Sequence, residues 1–308
     1  MNLDPPQVDR APEASRSSLE LRARDTAKRA LRGFGAVTAD VRPLPDFLVI
    51  GAKRGGTTSL WRYLAEHQGV MPLFPRAQKL KGLYYFDENF ERGERWYRSF
   101  FPTAASRALA ARRTGHRVVA GEAAPYYLYH PLAPERAHAL VPDALVIALL
   151  RDPVERAYSH YKERRKNGTE PLDFAAALGA EPQRLAGEEA RIRREPGYRS
   201  VAHRHCSYVD QGRYAPMLER WFVAFGRDRV LVFPSEELFA DPQGVFDAVV
   251  TRLGLPRQRL EHPDQYNAEP DRNFPPEIRA QLTEQLAPDV AAVEALLGRS
   301  MPWAGSTG

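Results

Sequence analysis

The sequence predicts an α/β fold: a single domain with a central, mostly parallel sheet flanked by helices. Short continuous apolar runs at residues 47–50, 117–120, 145–150 and 230–233 read as strands buried on both faces. Helical patterns lie between or beyond them, at 57–66, 153–166, 214–225, 245–253 and 276–297. That alternation is the mark of parallel strands joined by helical crossovers. No repeat, low-complexity tract or linker interrupts residues 46–303, so that span reads as one domain.

Residues 1–45 differ from the rest of the chain. They carry Pro5, Pro6, Pro12, Pro43 and Pro45, and a basic helical stretch near 18–32 has only Leu19, Leu21 and Leu31 on its apolar stripe. This segment is expected to be an extension that is flexible or docks loosely. Residues 304–308 read as a C-terminal tail. The first strand, Phe47-Leu48-Val49-Ile50, runs into Gly51-Ala52-Lys53-Arg54-Gly55-Gly56-Thr57-Thr58-Ser59-Leu60, and a helix with Leu60, Trp61 and Leu64 inward comes next.

The chemistry of that loop is legible. Glycines permit positive φ and close backbone approach, so successive N–H groups can converge on an anion. The helix start adds unpaired N–H groups and a positive dipole. Lys53 and Arg54 add two cations, and Thr57, Thr58 and Ser59 add hydroxyls. The loop is not a Walker A motif, because Thr57 stands where that motif has its lysine. It suits an anion but is not built to split ATP.

A second cationic strand end comes after Val146-Ile147-Ala148-Leu149-Leu150. Asp152 reads as a helix N-cap, Pro153 suits the first helical position, and Glu155 completes a capping-box spacing. Val154, Tyr158 and Tyr161 form the inner face, and Ser159 lies on another. A cap does not require the guanidinium of Arg151 before it, and that group suits a second phosphate at a strand end. Two anion sites on one sheet edge suggest one nucleotide with separate anionic groups.

Composition narrows the classes. Apolar residues at 43 % and charged residues at 27 % are globular values and exclude a disordered chain. A net charge of +5 permits an anionic partner without choosing one. No apolar run nears the roughly 18 residues of a membrane span, and the N-terminus shows no secretory pattern. One cysteine, Cys206, excludes an intrachain disulfide and fits a reducing compartment, so a cytoplasmic location is expected. His203 and His205 near Cys206 lack a fourth ligand, and no metal is expected. Arg191, Arg193 and Arg194 read as one solvated helix face. A nucleotide kinase and a non-catalytic anion or nucleic-acid binder remain the competing classes; both fit the sequence less well.

The pair GAKRGGTTSL and LLRDPVERAYSHY resembles the two donor-binding signatures of sulfotransferases that use 3′-phosphoadenosine 5′-phosphosulfate (PAPS). The nearest likeness is to the heparan-sulfate and carbohydrate type and its bacterial relatives, in consistent order over residues 45–303. The resemblance implies a P-loop type fold and metal-free, in-line transfer of a sulfuryl group. The acceptor it implies is a hydroxyl or amine on a carbohydrate, glycolipid or small natural product, with no nucleic-acid partner. It also implies that Lys53, Arg54, Gly55, Gly56, Thr57 and Thr58 hold the 5′-phosphosulfate, with Lys53 and Arg54 stabilising the transferring group. Arg151 and Ser159 match the 3′-phosphate pair, and Arg272 the late loop over the nucleotide.

Three positions depart from the family pattern. Lysine is usual where Arg54 stands, a glutamate taken as catalytic base is replaced by Gly82, and a further lysine is replaced by Ala123. Glu122, placed after a predicted strand, becomes the candidate base, with His130 as the next candidate. Among the aromatic clusters, Tyr84 and Tyr127 are candidates for the acceptor cleft.

Overall fold

The computed structural model describes residues 30–263 and 274–303. Four parallel strands, β1 (Phe47–Gly51), β2 (Gly121–Ala123), β3 (Leu145–Leu150) and β4 (Val230–Pro234), form one sheet in the order β2-β1-β3-β4. Helices α1 (Thr57–Glu66), α2 (Gly93–Arg98) and α3 (Ala104–Thr114) lie between β1 and β2, and α4 (Ala133–Leu140) between β2 and β3. Between β3 and β4 come α5 (Pro153–Lys166), α6 (Phe174–Leu185), α7 (Glu188–Arg194), α8 (Val201–His205) and α9 (Tyr214–Phe225). After β4 come α10 (Ser235–Ala240), α11 (Pro242–Arg252) and α12 (Pro276–Leu297). Among the described residues, no helix is long and apolar enough to cross a membrane.

Both faces of the sheet are covered, which is why β1 and β3 are buried along their whole length. Leu48 and Ile50 point into a core with Tyr97, Phe101, Tyr127 and Trp221. Phe47 and Val49 point the other way, against Leu60, Leu64, Val245 and Val249 of α1 and α11. A third cluster, Val154, Tyr158 and Tyr161 with Phe174 and Phe274, supports α5. The strand order sends the chain from β1 to one side and from β3 to the other. The crevice between the carboxyl ends of β1 and β3 is therefore the switch point at which open α/β sheets bind ligands.

Two expectations need correction. The apolar run at 117–120 is not the second sheet strand. Val119 exchanges hydrogen bonds with Gly69 and Met71, at 2.8 Å each, and Ala120 is tied to Asp46. Pairing with β1 begins only at Gly121, opposite Phe47. A Cβ at Gly121 would lie 2.5 Å from the Phe47 carbonyl oxygen, so only glycine fits there. The capping box at α5 is also incomplete. Asp152 accepts from the Val154 and Glu155 amides at 2.8 and 3.4 Å, as a cap should. Glu155, however, pairs with Arg279 of α12, and the Asp152 amide donates instead to Glu236. A tertiary ion pair has taken the side chain that the local motif would use.

The described end of the N-terminal segment is docked. Residues 30–37 are helical, Ala39 and Arg42 are buried, and the Arg42 guanidinium donates to Thr38 and the Phe101 carbonyl over the Phe74 ring. The 18–32 stretch falls mostly outside the described residues.

Candidate functional site

The loop after β1 is held in shape from three sides. The Ala52 amide donates to Leu149 of β3 at 2.6 Å, the Gly55 amide to Ala52 at 2.9 Å, and the Ser235 hydroxyl to the Gly55 carbonyl at 2.7 Å. A Cβ at Gly55 would sit 2.6 Å from the Leu149 carbonyl oxygen, so glycine lets the loop lie against β3. Arg54 and Gly56 both take positive φ, +70° and +83°. For Arg54 this left-handed backbone costs about 1 kcal/mol or more, a strain typical of ligand-holding turns. α1 then starts at Thr57 with no side-chain cap, which leaves first-turn N–H groups for an anion.

Three cations surround this loop, and one of them reaches the helix start. Lys53 Nζ lies 2.9 Å from His160 Nε2 and 3.2 Å from Glu163 Oε2, both on α5. Arg54 donates through Nε to the Ser159 hydroxyl, also on α5, at 3.0 Å. The third is Lys81, which sequence reasoning did not find: its Nζ donates to the Thr57 and Thr58 hydroxyls at 3.0 and 2.9 Å. The one signal for it was Thr57 itself, in the place of a Walker lysine, which leaves room for a cation from elsewhere in the chain.

Burial pulls the Lys53 ammonium down to about 7; Glu163 opposes the shift, while Arg164 and Arg204 add to it. Burial likewise takes Lys81 to about 7, with Arg62 adding repulsion. The same desolvation lowers Arg54, with Arg151 close enough to contribute. His160 is pushed well below its ordinary value by burial and then by Lys53, and its Nε2 lies within hydrogen-bond distance of the Lys53 ammonium. Burial raises Glu163, but Lys53, Arg164 and Arg54 outweigh that and keep it ionised. The helical pattern in the sequence puts His160 on the exposed side of α5; it is fully buried, with its ring 5.1 Å from that of Tyr208. The reason is that α5 is covered on more than one side.

Arg151 stands at the end of β3 as predicted, half-buried, its carbonyl accepting from the Tyr214 hydroxyl at 2.9 Å. Arg272 lies outside the described residues. Glu122 sits within β2, not after it, and has no exposed surface. One of its oxygens accepts from the Tyr97 and Tyr127 hydroxyls at 2.6 and 2.9 Å, the other from the Leu83 amide. Burial raises its pKa, and those three donors partly offset the rise. Tyr127 is likewise core and does not line an acceptor cleft.

A small cleft is lined by Asp87, Glu88, Tyr126, His130, Tyr198 and Ser200, among others. Asp87 is buried and its Oδ2 has no hydrogen-bond partner, while its Oδ1 accepts from the Glu88 amide at 2.6 Å. Burial, and then Glu88, raise the Asp87 carboxyl well above its ordinary range. Arg204 pairs with Glu88 and spans the rings of Tyr84 and Tyr126 at 5.2 and 5.6 Å. His130 lines the same cleft, pushed well below its ordinary pKa by burial and then Arg136. His203 and His205 are engaged elsewhere, with the Tyr126 hydroxyl at 2.8 Å and Arg164 at 3.0 Å.

The profile of the sulfotransferase family matches residues 45–259, from the docked segment before β1 to the turn after α11. The chain belongs to the sulfotransferase family. Among relatives of this chain, the human bifunctional heparan sulfate N-deacetylase/N-sulfotransferase 3 is 31 % identical over 216 residues, 69 % of this chain and 22 % of its own length. Human heparan sulfate glucosamine 3-O-sulfotransferase 6 is 31 % identical over 248 residues, 78 % of this chain and 60 % of its own. The chain thus spans about a fifth of the first and three-fifths of the second. A solved sulfotransferase from Alicyclobacillus acidocaldarius superposes with a TM-score of 0.58 at 28 % identity, covering 84 % of this chain and 98 % of that one.

Proposed function

We propose that this chain transfers a sulfuryl group from PAPS to a hydroxyl or amine of a carbohydrate or small-molecule acceptor. The observation that carries the reading is Lys81 seated on the uncapped start of α1, with Lys53 and Arg54 in the loop before it and Arg151 at the end of the neighbouring strand. The residues fit a doubly anionic nucleotide. The α1 amides and the three cations receive the 5′ phosphosulfate, and Arg151 with Ser159 receives the 3′ phosphate.

Transfer moves charge onto the bridging oxygen of the donor, and fixed cations stabilise that charge without reorganising. Arg54, its Nε held by Ser159, keeps a planar, charged fork beside the loop. Lys53 is held off by Glu163 and His160, and an arriving anion competes for it. Asp87, whose buried Oδ2 has no hydrogen-bond partner, is the carboxylate proposed to take the acceptor's proton. Glu122, read from sequence as the base, is assigned instead to holding the 81–83 segment, because its oxygens are already occupied.

The test is calorimetric binding of PAPS and of its product, adenosine 3′,5′-bisphosphate, then transfer of labelled sulfate to a panel of saccharides. Arg54→Ala is expected to abolish transfer and weaken product binding more than tenfold. Unchanged binding in Arg54→Ala, or no binding by the unmodified chain, defeats the reading.

A further inference from the structure

We infer that Lys81, from a segment outside the glycine loop, supplies the donor-contacting lysine that the loop lacks at Thr57. This rests on the proposed use of a phosphosulfate nucleotide and names a residue of that same site.

Lys81 Nζ sits at the first turn of α1, hydrogen-bonded to both Thr57 and Thr58 hydroxyls, where an anion at the helix start would lie. An ammonium has three N–H donors. Two are used by the threonines, so one remains for a ligand oxygen.

The charge also lacks a counter-ion. Lys53 is paired with Glu163. Lys81, among the described residues, meets only neutral hydroxyls, and the charge acting on it is a second cation, Arg62. A desolvated cation held only by neutral partners is costly, and its depressed pKa, about 7, reflects that cost. An incoming phosphosulfate removes the cost by supplying the missing negative charge.

The residues next to Lys81 hold its backbone in place. The Lys81 carbonyl accepts from the Ala123 amide at 2.9 Å, and the Leu83 amide donates to Glu122. Between them, a Cβ on Gly82 would sit 2.3 Å from the Ala123 carbonyl oxygen, so only glycine lets the segment lie flat on β2. Gly82 and buried Glu122 thus fix the backbone at and just after Lys81, whose stem reaches α1. Arg54 does not do the same work, because its Nε is taken by Ser159.

In the transfer step, the acceptor oxygen forms a new bond to sulfur as the bond from sulfur to the bridging oxygen breaks. The electron pair stays on that oxygen, which becomes part of the 5′ phosphate of the released bisphosphate. The acceptor proton passes to Asp87. Lys81 donates a hydrogen bond to the phosphosulfate throughout and is not consumed.

The experiment compares the unmodified chain with Lys81→Met and Lys81→Arg, using adenosine 3′,5′-bisphosphate and adenosine 3′-monophosphate as probes, with PAPS for turnover. Lys81→Met is expected to lose about 100-fold in kcat/KM, the usual effect of removing one preorganised donor. It should weaken bisphosphate binding by at least tenfold and leave 3′-monophosphate binding unchanged. A merely structural role would affect both ligands alike. Lys81→Arg should restore bisphosphate affinity while taking up fewer protons on binding than the unmodified chain, measured in buffers of different ionisation enthalpy. Equal bisphosphate affinity and turnover in Lys81→Met overturns the inference. If Lys81→Met does not fold, proton uptake by Lys81→Arg equal to that of the unmodified chain overturns it. If the unmodified chain binds no bisphosphate, the proposed function falls instead.

Discussion

Gly82 decides what the base-bearing segment can be. In the family pattern a glutamate stands at this position, yet here a side chain would meet the Ala123 carbonyl at 2.3 Å. Gly82→Glu should therefore fail to add a base and should destabilise the chain by about 1–3 kcal/mol, the cost of overpacking. Chemical denaturation together with a transfer assay checks both halves. A stable, faster Gly82→Glu would mean that the segment lies elsewhere. Glu122 is the complementary case. Its carboxylate gathers three donors, so Glu122→Gln sets an amide N–H against at least one of them. Hydrogen bonds to charged groups are worth about 1.5–3 kcal/mol each, so a fall in stability of about 2–4 kcal/mol is expected. Activity per folded molecule should stay within a few-fold of the unmodified chain, which separates a positioning carboxylate from a catalytic one.

The element that governs the glycine loop is α5. It presents Ser159, His160 and Glu163 to the loop and engages both loop cations before any ligand arrives. Lys53 and Lys81, each depressed to about 7, give this arrangement a pH signature. A lysine whose folded pKa lies below its unfolded value binds fewer protons folded than unfolded between the two values. Stability of the free chain therefore rises with pH from about 7 toward 10 on account of these two groups. Donor affinity has the opposite sign, because binding an anion requires the lysines to be charged. It falls by up to about tenfold per pH unit for each lysine above neutrality. Thermal shifts with and without the bisphosphate, taken from pH 6.5 to 9, should show the ligand's stabilisation shrinking as the free chain gains. A ligand shift constant over that range would mean that neither lysine contacts the anion.

At the scale of the whole molecule, what the sequence reveals tracks burial. β1, β3, α1, α5, α9 and α12 announce themselves because both faces of the sheet are covered and the helices are capped or amphipathic. β2 does not, since Gly121-Glu122-Ala123 has no apolar run and its register is set by Phe47 packing on a bare glycine. Lys81 and His160 were illegible for a related reason. Their roles come from segments brought together by the fold, 24 and 107 residues away from their partners. Arg151 was legible because strand ends are where such sheets bind ligands, and the order β2-β1-β3-β4 puts it across the crevice from the loop. That separation yields a prediction about the span of the ligand. Arg151→Ala removes a charge-assisted contact worth about 1.5–3 kcal/mol, so bisphosphate affinity should fall roughly ten- to a hundredfold. Adenosine 5′-monophosphate, which has no 3′ phosphate, should bind the variant and the unmodified chain alike. Arg54→Ala should weaken both ligands. If Arg151→Ala weakens the 5′-monophosphate as much as the bisphosphate, both arginines serve one anion, and the crevice between β1 and β3 holds a smaller ligand than a 3′-phosphorylated nucleotide.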